Sequence, residues 1–205
     1  MPKAESNPKS IQVVQSRRQL GQIMRSCRRH PDQTVGLVPT MGALHAGHLS
    51  LVEASTNQCD VTIVTIFVNP AQFGPNEDLS RYPQRFQEDL AALSEYPVEI
   101  VFAPTQKEMY PPVFSTYVDP PQVAQALEGR FRPNHFQGVA TIVLKLFHLI
   151  PADISFFWSK GLSTVTSDSP YDPRLGSSYA RGCVSNGARR RWFGDEFAKF
   201  LFVAR

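Results

Sequence analysis

The sequence predicts an α/β protein built on a doubly wound parallel sheet, and three observations carry that expectation. Short apolar, β-branched runs recur along the first 160 residues: "TVGLVP", "CDVTIVTIFV", "VEIVFAP" and "ADISFFW". Near-continuous runs of this kind mark strands buried on both faces. Between them lie segments with apolar residues at helical spacing, and a helix–strand alternation implies right-handed crossovers and a sheet covered on both sides. Finally, "VPTMGALHAGHLSL", Val38 to Leu51, places two glycines and two histidines just after a strand, where open α/β sheets bind ligands.

Taken in order, residues 1–10 read as a polar leader without the apolar core of a signal peptide. Ser16 is placed to cap a helix through "RRQLGQIMRSCRR", with Leu20, Ile23, Met24 and Cys27 on one face and Pro31 and Asp32 as its stop. A strand "TVGLVP" follows, then a helix starting near His45 with Leu44, His48, Leu51 and Val52 at helical spacing. After the strand "CDVTIVTIFV", the segment "RYPQRFQEDLAALSEY" is expected to be helical with Phe86, Leu90 and Leu93 inward. "VEIVFAP" is the next strand, "PPQVAQALEG" a short helix, "GVATIVLKLFHLI" a longer one, and "ADISFFW" a last strand. Beyond Lys160 the pattern changes. "GLSTVTSDSPYDPRLGSSYARGCVSNG" has no sustained period and is followed by the basic "ARRRWFGDEFAKFLFVAR". The expected division is an α/β domain over 1–160 and an atypical tail over 161–205, with no internal repeat.

Length and composition bound the function. A chain of 205 residues with 42% apolar and 19% charged residues suits one ordinary domain and argues against wholesale disorder. A net charge of +3 fits an anionic small molecule. No stripe of Lys/Arg interleaved with aromatics points to nucleic acid. Cys27, Cys59 and Cys183 are scattered and not in CxxC spacing, so they read as reduced thiols of a cytoplasmic protein. No window approaches the ~18 apolar residues that a membrane span requires.

The chemistry is expected at the glycine–histidine turn. A strand–turn–helix unit leaves backbone N–H groups at the helix N-terminus that attract phosphate. Gly42 and Gly47 let the backbone approach a nucleotide with no Cβ in the way. His45 and His48 project toward the same place, where imidazoles donate to a phosphoryl oxygen as charge builds, one of them also as a proton donor. Two competing readings are an ordinary loop and an H-x-x-H metal pair; the second lacks a carboxylate or third histidine nearby in sequence, and no metal ligands are expected.

"VPTMGALHAGHLSLV" resembles the HxGH motif of the nucleotidyltransferase superfamily, which has a Rossmann-like fold. With "TIFVNPAQF", "EDLSRYP", "FAPTQKEMYP", "LEGRFRPNHFQGVATIVLKLF" and "PADISFF", the chain is similar, over about residues 11–160, to the pantothenate synthetase (pantoate–β-alanine ligase) family. The resemblance implies an AMP-forming ligase. In such an enzyme pantoate attacks the α-phosphate of ATP, pyrophosphate leaves, and the β-alanine amine then displaces AMP to give pantothenate, with Mg2+ accompanying the nucleotide. It implies that Met41, Gly42, Ala43, Leu44, His45, Ala46, Gly47 and His48 line the ATP site, with His48 in the proton-donor position. Lys160 falls on a family lysine and joins His45 and His48 among the catalytic residues. Gln72 matches a glutamine shared by pantoate and β-alanine, an uncharged amide that binds hydroxyl or carboxylate without a competing charge. Pro39, Asn69, Arg132 and His135 complete the substrate side, Asn69 and Pro70 also shaping their loop, and Arg130 and Arg132 are a candidate anion clamp. Homodimers through the Rossmann-like domain are implied as well.

The likeness stops abruptly. Trp158 stands where the family has glycine, Gly161 where it has aspartate and Thr164 where it has a second pantoate-binding glutamine. The family's serine-serine-arginine segment and C-terminal domain have no counterpart in 161–205, as an altered reading frame or splice would produce. Two alternatives stand beside an impaired ligase: another HxGH nucleotidyltransferase, disfavoured by "FVNPAQF", and a non-catalytic paralogue that binds nucleotide or dimerises.

Overall fold

A computed structural model describes residues 10–27, 32–74, 79, 82–83, 85–119, 134–158 and 179–183, with Trp158 and 179–183 described by backbone alone. Arg130, Arg132, Lys160, the expected helix "PPQVAQALEG" and most of the tail lie outside the described residues.

Six strands form one sheet: β1 (Gln12–Val14), β2 (Val35–Thr40), β3 (Val61–Ile66), β4 (Ile100–Phe102), β5 (Ile154–Trp158) and β6 (Tyr179–Cys183). Their spatial order is β1-β4-β3-β2-β5-β6. Every pairing from β1 through β5 is parallel. The outer pair β5–β6 is antiparallel, with Ser155 opposite Gly182. The doubly wound parallel sheet is therefore present, with two strands beyond the four expected: β1 beside the leader and β6 from the tail. From β2 the chain steps to β3 and β4 on one side, then returns to place β5 on the other, so the topological switch point lies between β2 and β5.

Each strand feeds two cores because successive side chains point to opposite faces. Val35, Leu37, Ile63, Ile100 and Phe102 pack with Leu20 and Met24 of helix α1 (Arg17–Cys27) and Ile142, Val143 and Leu146 of helix α5 (His135–Leu149). Val38, Val64 and Val101 face the other way, onto Leu51 and Val52 of helix α2 (Ala46–Gln58) and Leu93 of helix α3 (Phe86–Ser94). Each fully buried aliphatic side chain contributes roughly 1.5–3 kcal/mol by leaving water. Helix α1 begins as expected: the Ser16 hydroxyl accepts the Gln19 N–H at 3.3 Å. Helix α3 is shorter than expected, starting only at Phe86 after Pro83. A single turn, α4 (Gln106–Met109), follows β4, capped by Thr105.

Pro39 explains why the sheet opens at its carboxyl edge. Val35 turns toward β5, its N–H donating to Asp153 Oδ2 at 2.9 Å and its C=O accepting the Asp153 N–H at 2.8 Å. Thr40 turns toward β3, its C=O accepting the Phe67 N–H at 3.1 Å. By strand alternation Pro39 faces β5, the side on which it has no N–H to donate. The β2–β5 ladder pairs only Gly36 with Ile154 and Leu37 with Ser155, so the strands part before Pro39. Among the described residues no helix is long and apolar enough to cross a membrane.

Candidate active site

The turn after β2 is held by side chains from β2 itself and from α3. The Thr40 hydroxyl donates to the Thr65 carbonyl at 2.6 Å and accepts the Gly42 N–H at 3.2 Å. Gly42 and Ala43 follow with φ of 83° and 51°, the left-handed region that glycine enters freely and alanine at a cost. Asp89 of α3, 3% exposed, accepts the N–H groups of Ala43 and Leu44 at 3.0 and 2.7 Å. A Cβ on Gly42 would lie 3.0 Å from Asp89 Oδ2 and 3.1 Å from Ile66 Cγ2, so glycine is what lets this carboxylate close on the turn.

His45 is the N-cap of α2, and its Nδ1 accepts the Gly47 N–H at 3.1 Å. A backbone N–H can only donate, so Nδ1 holds a lone pair and Nε2 carries the proton. The rings of His45 and His48 stand 4.2 Å apart, tilted by 41°. His48 Nδ1 is buried with no hydrogen-bond partner among the described residues. Burial, and secondarily the neighbouring His45, hold the His48 imidazole below its ordinary pKa, while Asp89 opposes them. Of the helix N-terminal amides expected to face phosphate, that of Gly47 is spent on His45. In the turn before the helix, the amides of Gly42, Ala43 and Leu44 are spent on Thr40 and Asp89, because a left-handed turn beside a buried carboxylate satisfies them internally.

The second wall is the loop after β3, which ends in the 3-10 turn Pro70–Gln72. Gln72 Nε2 lies 2.9 Å from Met41 Sδ, which brings "FVNPAQF" against the histidine turn. Asn69 is 1% exposed, and its amide is spent on protein groups: Gln72 Oε1 at 3.1 Å, the Gly138 carbonyl at 3.1 Å and the Tyr110 hydroxyl at 2.7 Å. His135 Nδ1 is 2.9 Å from the Gln72 carbonyl. Asn69 and His135, both expected on the substrate side, thus hold the Gln72 loop. Pro39 is half-buried below the turn. Helix α5 comes close through Gly138, where a Cβ would sit 2.2 Å from the Ala71 carbonyl oxygen.

A cleft of about 370 Å³ opens at the carboxyl ends of β3 and β4, lined among others by Met41, Gly42, Phe67, Arg85, Asp89 and Gln106. His45, His48 and Gln72 are not part of its lining, while Met41 belongs to both places. Sequence reasoning missed Asp89 and Tyr110. Asp89 carried a signal: it lies between Phe86 and Leu93 on the face read as inward. Among the described residues no cluster of three or more His, Cys, Asp or Glu is placed to hold a metal ion.

Comparison with known proteins bears on the family and the fold. The pantoate–β-alanine ligase family model matches residues 12–166. Pantothenate synthetase 1 of Bradyrhizobium diazoefficiens is 50% identical over 148 residues, 72% of this chain and 50% of that protein. The pantothenate synthetase of Koribacter versatilis is 48% identical over 155 residues, 76% of this chain and 53% of its own. The pantothenate synthetase structure from Thermus thermophilus superposes with a TM-score of 0.66 at 42% identity, over 72% of this chain and 51% of that one. The Francisella tularensis pantoate–β-alanine ligase, solved with β-γ ATP and β-alanine, gives 0.66 at 39% identity, over 70% and 54% of the two chains. The chain therefore spans about half the length of the relatives it matches. Over that half, it belongs to the pantoate–β-alanine ligase family.

Proposed function

We propose that this chain carries the first half of an ATP-dependent ligase that condenses pantoate with β-alanine through a pantoyl adenylate. The observation that carries the reading is the 2.9 Å contact between Gln72 Nε2 and Met41 Sδ. It brings an uncharged amide, the donor for pantoate on this reading, beside the histidine turn, the nucleotide side on this reading. A pantoate carboxylate oxygen attacks the α-phosphorus, the bond to the β-phosphate bridge breaks, and pyrophosphate leaves. The β-alanine nitrogen then attacks the acyl carbon, loses a proton and expels AMP. Both steps need held reactants and donors at developing oxyanions more than a strong nucleophile. His45 offers its Nε2 proton, and His48 is the proton donor at the phosphate. Lys160 adds positive charge, Arg132 an anion contact, and Gln72 orients pantoate. Asn69, Pro39 and His135 shape the pocket.

Magnesium enters this scheme with the nucleotide phosphates, as it commonly does; the described residues supply no cage of their own. A cytoplasmic homodimer, and an α/β unit over 1–160 with a tail of different origin over 161–205, complete the proposal. The departure after Lys160 favours a second reading, a non-catalytic paralogue that binds nucleotide. One assay separates them: chain, ATP, magnesium and pantoate, followed for pyrophosphate, then β-alanine, followed for AMP. Release of both supports the ligase; nucleotide binding without either product supports the paralogue.

A further inference from the structure

We propose that Tyr110 is a positioning residue that, through Asn69, fixes Gln72 as a hydrogen-bond donor, so that the site recognises its substrate by an oxygen lone pair. This deepens the ligase reading and rests on its assignment of Gln72 to pantoate. The orientation follows from the one partner with no choice. The Gly138 carbonyl only accepts, so the Asn69 atom 3.1 Å from it is the amide nitrogen. Asn69 Oδ1 then faces Tyr110, whose hydroxyl must donate at 2.7 Å. The second Asn69 proton points to Gln72 at 3.1 Å, which must answer with Oε1. Gln72 is left with its NH2 toward Met41, whose thioether is a weak acceptor. A carboxylate or hydroxyl oxygen at that place is a stronger one.

Tyr110 is well held for this task. Its ring packs 5.0 Å from that of Phe114 and 6.3 Å from that of Phe67, with Lys145 Nζ 5.1 Å from its centroid. Burial, and secondarily Tyr117, push its hydroxyl well above the usual tyrosine pKa, so it remains a donor throughout the working range. Without that hydroxyl, Asn69 Oδ1 is a buried acceptor with no partner, and the amide, kept in its orientation by the Gly138 carbonyl alone, is held less firmly. Its hold on Gln72 Oε1 loosens with it.

The test pairs pantoate titration calorimetry with solvent exchange of the Asn69 and Gln72 side-chain amide protons by NMR, on the full 205-residue chain. Tyr110→Phe is expected to weaken pantoate roughly five- to tenfold, the worth of one hydrogen bond, to speed exchange of the Asn69 amide, and to leave nucleotide affinity unchanged. Gln72→Glu keeps an acceptor for Asn69 but puts a second oxygen where the donor stood, so it should lose pantoate at least as severely as Gln72→Ala. Wild-type affinity in Gln72→Glu overturns the donor assignment. A Tyr110→Phe chain that only melts earlier, with Asn69 exchange and pantoate affinity unmoved, overturns the positioning role. If the unsubstituted chain binds no pantoate, the ligase reading fails separately and amide exchange decides: slow in wild type and faster in Tyr110→Phe supports the relay, equal rates overturn it.

Discussion

His48 is the residue whose environment most clearly sets its chemistry. Burial and His45 hold its pKa below the ordinary 6.5, and Asp89 pulls the other way. A histidine NMR titration should place its midpoint below 6.5, lower still in Asp89→Asn and higher in His45→Gln. The folded state binds this proton less tightly than the unfolded chain does. The stability contributed by neutral His48 is thus complete above the ordinary value and is lost as pH falls from there through the folded pKa. Melting curves of His48→Gln should lack that acid-side loss. For activity, His48→Ala should cut adenylate formation by more than it weakens ATP, because a donor to a developing oxyanion gains strength in the transition state; equal losses would argue against the role. Asp89 belongs at this scale too. Asp89→Ala strands two half-buried N–H groups and should cost roughly 1–3 kcal/mol in denaturant unfolding; a loss well below ~1 kcal/mol would mean that water replaces the carboxylate. The motif words single out His45, His48 and Gln72. They could not give away the Asp89 contact, which spans 45 and 46 residues of sequence.

Among the elements, the legible ones were those whose own residues decide them. Strands β2, β3 and β5 are continuous apolar runs, and α1 and α2 carry a cap and a face. Strand β1 was missed because only Val14 of its three residues is buried; its existence depends on β4, some 88 residues away, with Gln12 opposite Ile100. The Pro39 break was unreadable for the same reason, since its meaning depends on where β5 stops. On the proposed reading, the contact of α5 with the Gln72 loop is the element-scale feature that function depends on most. Gly138→Ala would place a Cβ 2.2 Å from Ala71 O and 2.6 Å from Gln72 N. Backbone cannot rotate away as a side chain does, so the helix or the loop must move. The expected cost is about 1–3 kcal/mol or more, together with weaker pantoate binding and unchanged nucleotide affinity. A variant with wild-type melting and pantoate affinity would show that α5 and the loop are less tightly joined than this packing requires.

At the scale of the whole molecule, the described residues build two walls of the candidate site, the histidine turn and the Gln72 loop, and the chain spans about half of each relative. Chemistry that works by positioning and charge stabilisation depends on every wall. By the resemblance, Gly161 and Thr164 stand at positions where the family is expected to carry an aspartate and a glutamine, and residues 161–205 offer no clear counterpart of its serine-serine-arginine segment. Each electrostatic donor absent from such a site costs on the order of a hundredfold in rate, and donors acting as a unit do not add simply. Nucleotide recognition asks less, since the turn is already shaped by Thr40 and Asp89 before any ligand arrives. The 205-residue chain, purified as such, should therefore bind ATP measurably yet release AMP far more slowly than the roughly one turnover per second of an ordinary enzyme. Calorimetry with ATP and an AMP-release assay with magnesium, pantoate and β-alanine read the two quantities side by side. Ordinary turnover would mean that the residues after Lys160 supply the missing donors by a route that their sequence does not reveal. Loss of ATP binding as well would mean that the turn needs the other walls to hold a nucleotide at all.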